Sequence, residues 1–85
     1  MTGPAEQAEK SLDRMFEAEE ELYRAAARGN GTDKEKYRSY VISNYDRKLE
    51  LLDTIAKSSL NAAKRAAAAK EAQNLRRQGR PIYRG

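Results

Sequence analysis

The chain has no cysteine and no histidine. The first absence excludes a disulfide framework and a thiolate metal site. The second removes the commonest general base and the commonest transition-metal ligand. Bulky apolar residues are scarce: seven leucines, three isoleucines, one valine and one phenylalanine among 85 residues, below what globular domains usually carry. No apolar run approaches the roughly 18 residues that cross a bilayer. The opening MTGPAEQAEK lacks the basic start and apolar centre of a secretion signal. The expected compartment is therefore the cytoplasm, or a particle assembled there. Glycine-rich phosphate loops, nucleophile elbows, zinc motifs and dinucleotide fingerprints are missing. Only Lys, Tyr and carboxylates remain for chemistry, with no expected pocket to exclude water. No enzyme, cofactor, metal or small-molecule substrate is expected.

What is present favours helices. Fourteen alanines join Glu, Lys, Leu and Arg as the dominant residue types, a mixture of strong helix formers. Alanine buries little area, so a chain this short is expected to complete its core with a partner or with copies of itself. Pro4 suits a first helical turn, and Thr2 or Gly3 can cap it. Ala5, Ala8, Leu12, Met15, Phe16, Leu22, Tyr23 and Ala26 recur at helical spacing. Gly29-Asn30-Gly31 reads as a C-cap followed by a tight turn. Thr32 and Glu35 then fit a capping box, and no further Gly or Pro appears before Gly79. The pattern predicts a second helix from about Asp33 to about Gln78, about 70 Å long and about twice the first. Ser43-Asn44 and Ser58-Ser59 are its weak points.

The predicted fold class is all-α: an elongated antiparallel helical hairpin, coiled-coil-like, with unequal arms and a short extended C-terminal tail. Residues 1–57 make the hairpin with its turn near 29–32, residues 58–78 a projecting Ala-rich basic helix, and residues 79–85 the tail. Leu12, Met15, Phe16, Leu22 and Tyr23 are expected to face Tyr37, Val41, Asn44, Lys48, Leu51, Leu52 and Ile55. Glu19 and Lys48 interrupt these two stripes. A second apolar edge, Ile42, Tyr45, Leu49, Leu52 and Ala56, lies beside the first. One helix cannot cover both, and an uncovered apolar edge implies a partner.

Charge is unevenly spread. Residues 1–30 carry a net −3, residues 31–57 a net +1 and residues 58–85 a net +6. In the last segment Ala62, Ala66 and Ala69 align as a narrow seam bordered by Arg65, Lys70, Arg76 and Arg77. Small side chains let helices approach closely, while long basic stems cover the partner and pair with its acids. Ala62, Ala66 and Ala69, with Ile82 and Tyr83 in the tail, are the candidate partner-contact residues. Lys64, Arg65, Lys70, Arg76, Arg77, Arg80 and Arg84 are the candidates for contact with an acidic partner or nucleic acid.

The expected function is a non-catalytic structural, assembly or adaptor protein. It would form a homo-oligomer or dock onto a larger complex, such as a virion component would, by helix packing and its basic C-terminal arm. One alternative is a small non-specific nucleic-acid-binding or packaging protein. Base-stacking aromatics are missing from the arm until Tyr83, which counts against that alternative. Another is a regulator that folds on its protein target.

Overall fold

A computed structural model of the chain describes residues 3–29 and 31–81. Four helices follow in order: α1 (Pro4–Ala27), α2 (Gly31–Ser43), α3 (Tyr45–Ser58) and α4 (Ala62–Gln78). The all-α class is as predicted. The two-helix hairpin is not, because the long second helix is divided into three.

α1 starts with Pro4 at its first turn and Gly3 as N-cap. It stops at Arg28, and Gly29 follows with φ +93°. That left-handed conformation suits glycine at the end of a helix. α2 already begins at Gly31, so Thr32 and Asp33 lie inside its first turn rather than ahead of it.

The predicted weak points are where the helix gives way. At the first, Ser43 Oγ donates to the Ser39 carbonyl at 2.7 Å and Asn44 Nδ2 donates to the Tyr40 carbonyl at 2.9 Å. Such side chains compete with the backbone for helical carbonyls. The backbone bonds Asn44 N–Tyr40 O and Lys48 N–Asn44 O persist at 3.0 and 2.9 Å, so α2 and α3 form one kinked rod. At the second the division is complete. Ser59 is extended (φ −66°, ψ 138°), and Asn61 caps α4 by accepting from the Ala63 and Lys64 amides at 2.9 and 3.2 Å.

α1 packs along both α2 and α3, and α3 packs in turn along α4. Tyr23 meets Tyr37 edge-on with ring centroids 5.6 Å apart, and Glu19 meets Lys48 further along, so α1 runs antiparallel to the rod. The Tyr45 hydroxyl donates to the Leu75 carbonyl at 2.8 Å, which places α4 antiparallel to α3. α1 and α4 are consequently parallel, on either side of α3, and no Cα of one lies within 8 Å of the other. The result is a slab 42 × 28 × 17 Å.

This arrangement corrects two expectations. The basic helix of residues 58–78 does not project; it folds back on α3. The second apolar edge is covered by that same helix: Leu49, Ala56 and Leu75 pack against the central cluster with Ala68 and Ala72. The partner that this edge required is the chain's own C-terminal helix. The core remains thin, since five of the ten buried apolar residues among those described are alanines. Leu52, 2% exposed, touches it from the middle.

Candidate docking site

Because the backbones of α1 and α4 flank α3 without coming within 8 Å of each other, a groove runs between them along one face of the slab. Leu12 from α1, Leu52 and Ile55 from α3 and Ala68 from α4 give it apolar lining. Glu9 and Asp13 stand on the α1 side; Lys64, Lys70 and Glu71 stand on the α4 side. Its central volume is about 640 Å³. A second hollow of about 340 Å³ continues it towards Pro4 and Leu60, sharing Glu9 and Lys64. A third, about 240 Å³, continues it past Phe16 and Gln78, sharing Glu71 and Asn74. Lys64 Nζ bridges the groove to Glu9 at 3.1 Å. Phe16 is 40% exposed in the wall, with Lys48 Nζ 5.2 Å from its ring centre.

The two blemishes of the predicted stripes prove to be partners. Lys48 Nζ donates to Glu19 Oε1 at 2.6 Å, with the side chains only 14% and 18% exposed. A half-buried lysine and a half-buried glutamate each satisfy the other, tying α3 to α1. Burial, and then the Glu19 charge nearby, raise the Tyr40 phenol above its ordinary value of 10.0. Among the described residues no acidic cluster is arranged to hold a metal ion, and no helix is long and apolar enough to cross a membrane.

The predicted contact residues separate into distinct groups. Ala62, Ala66 and Ala69 are exposed, and Ala68 and Ala72 are buried. At about 100° per residue these are two different faces of one helix: the inner alanines pack on α3, and the predicted seam looks outward. Of the basic candidates, Lys64 pairs with Glu9, Arg76 Nη2 lies 2.5 Å from Asp53, and Arg80 pairs with Asp46 while stacking over Tyr45. Arg65 donates to the Ser59 carbonyl at 2.6 Å. Lys70 and Arg77 are exposed, and neither makes an ion pair among the described residues. Ile82, Tyr83 and Arg84 lie outside the described residues.

Sequence reasoning missed Glu9, Asp46 and Asp53 as receivers of the basic arm, and missed the inner alanine face. A signal for that face was present. Leu75, the one bulky apolar residue of α4, lies seven residues after Ala68 and three after Ala72, on the same strip. The outward seam contains no such residue. No known protein family, curated protein or solved structure matches this chain.

Proposed function

We propose that this chain is a non-catalytic assembly protein that works by docking helices, as a homo-oligomer or as one component of a larger complex such as a virion. The observation that carries the reading is the groove between α1 and α4. Its lining of Leu12, Leu52, Ile55 and Ala68 is apolar, and its sides are charged. An amphipathic helix fits such a groove: its apolar face meets the lining, and its edges meet the charges. Asp13, beside the Glu9–Lys64 pair, calls for a basic edge on the α1 side. The outward seam of Ala62, Ala66 and Ala69 supplies a second close-approach surface on the far side of α4.

Nucleic-acid binding is the rival outcome. It is weakened because Lys64, Arg76 and Arg80 already face the chain's own carboxylates, so binding phosphate would require breaking those pairs. Light scattering over a concentration series, with DNA and RNA binding at two salt concentrations, separates the readings. Assembly predicts association that Ala67→Glu, in the groove, or Ala66→Glu, on the outer seam, abolishes while the fold is retained. A concentration-independent monomer that binds nucleic acid tightly at low salt, and loses it steeply as salt rises, refutes the proposal.

A further inference from the structure

One strip of α4 is left bare by the folded chain. Ala63, Ala67, Lys70, Asn74 and Arg77 follow at steps of four, three, four and three, so they share one face of the helix. All five are exposed. The strip is small and apolar at its start and basic towards its end. It borders the groove, since Ala67, Lys70 and Asn74 belong to the groove's α4 side. Across from it, α1 carries Glu9, Asp13, Phe16 and Glu20 at steps of four, three and four, and the first three line the groove or its continuation. Among the described residues Lys70, Arg77 and Asp13 make no ion pair.

Length and register agree with these charges. The three hollows run from Leu60 to Gln78, so the groove is as long as the helix that walls it. Lys64 reaches Glu9, and Phe16 shares a hollow with Asn74 and Gln78. Because α1 and α4 run parallel with the same rise, residue 70 stands level with about residues 12–15 and residue 77 with about residues 19–22. A two-fold axis parallel to the helices turns one copy onto another without moving any residue along its length. It can seat α4 of a second copy in the groove of the first. Since α4 is a wall of its own groove, the same rotation seats α4 of the first in the groove of the second, a closed and self-complementary contact. Lys70 of the second copy then arrives level with Asp13 of the first, and Arg77 arrives level with Glu20, beside the exposed Phe16 ring. The symmetry alone fixes this register.

We propose that the occupant of the groove is α4 of a second copy of this chain, in a reciprocal parallel dimer whose charged contacts are Lys70 on Asp13 and Arg77 on Glu20. The inference rests on the assembly reading and names its partner. Ala63 and Ala67 bring little bulk, so the incoming helix approaches Leu12 and Ile55 closely. The Glu9–Lys64 pair crosses the groove at one end, with the lysine side chain 55% exposed, and an exposed pair of this kind yields at little cost. Glu71 opposes the contact. It lies on the groove side of α4 and meets its own copy near the axis, which keeps the dimer reversible.

Light scattering over a concentration series reads the association, and circular dichroism checks that each variant keeps its fold. The altered side chains are exposed, so folding should survive. Lys70→Asp and Asp13→Lys each replace two attractive contacts by two repulsive ones, and each should weaken the dimer about tenfold or more. Carried together in one chain, they restore the contacts with signs exchanged and should return the dimer to within about threefold of its native strength. Ala67→Glu should abolish the dimer, whereas Ala66→Glu, about 100° further round α4, should leave it. Glu71→Gln should tighten it. Three results overturn the groove dimer while leaving assembly through another surface standing: association that Lys70→Asp does not weaken or the double variant does not restore, association that Ala66→Glu abolishes and Ala67→Glu does not, and a Glu71→Gln chain that associates no more tightly. A chain that is monomeric at every concentration overturns both the groove dimer and the homo-oligomer.

Discussion

Replacing Lys48 by alanine tests what holds α1 to the rod. Its ammonium is 2.6 Å from Glu19 and 5.2 Å from the centre of the Phe16 ring, and barely a sixth of either charged side chain is open to water. Removing one member of a fully buried pair costs about 3–5 kcal/mol, because the other charge is left uncompensated. The remaining exposure of Glu19 lets water repay part of this, which brings the expectation for Lys48→Ala to about 2–3 kcal/mol. In a domain this small that corresponds to a fall in Tm of roughly 10 °C or more. Glu19→Gln should cost less, since the amide still accepts a hydrogen bond. The double replacement Glu19→Leu with Lys48→Met removes both charges and fills the space, and should lie within about 1 kcal/mol of the parent. Urea unfolding followed by helical circular dichroism gives each free energy, and the singles Glu19→Leu and Lys48→Met, measured beside their double, close the double-mutant cycle. If Lys48→Ala costs under about 0.5 kcal/mol, or the double variant is as unstable as the two singles combined, the pair is not the buried tie between helices described above.

Three further outcomes follow from single side chains. Ala72, 1% exposed against α3, leaves no room for a larger residue, so Ala72→Leu should lose about 1–3 kcal/mol by overpacking, whereas Ala66→Leu on the outward face should change the same urea midpoint little. Asn61→Ala should cost about 1 kcal/mol through the lost cap, and Asn61→Asp should restore it. Tyr40 has a folded-state pKa raised by burial and then by Glu19. Its contribution to stability is therefore intact below the ordinary phenol value and is lost as pH rises through the folded value; denaturation midpoints taken from neutral to strongly alkaline pH should fall less steeply for Tyr40→Phe than for the parent.

Much of the secondary structure is visible in the sequence because its punctuation is chemically explicit. Gly29 supplies the left-handed residue that ends α1. The serines and asparagines at 43–44 and 58–61 offer side chains that compete with or cap the helical backbone, and the rod bends or ends there. The tertiary arrangement is less visible because alanine is ambiguous. A helix with alanines at 62, 66, 69, 68 and 72 has small residues on several faces, and small size alone does not say which face is buried. Leu75 breaks the tie, but one residue is a weak periodic signal beside the more regular outward seam. The basic side chains misled for a related reason. Read along the chain, the acids that receive Arg76 and Arg80 are 23 and 34 positions away, so only the fold-back of α4 reveals the pairing.

That fold-back also changes the electric shape of the molecule. Along the chain, negative charge sits at one end and positive charge at the other. α1, with seven acidic and three basic side chains, forms one long border of the slab, and α4, with five basic and one acidic, forms the opposite border. The charge separation therefore runs across the 28 Å width, not along the 42 Å length. At a screening length of about 10 Å in 0.1 M salt, a charged body approaching from the side meets mainly one border, and the torque it feels turns the slab about its long axis. Were two copies to associate as proposed, this field would turn them into matching orientation before any apolar surface touched, and raising the salt should slow their encounter more than it loosens the finished contact.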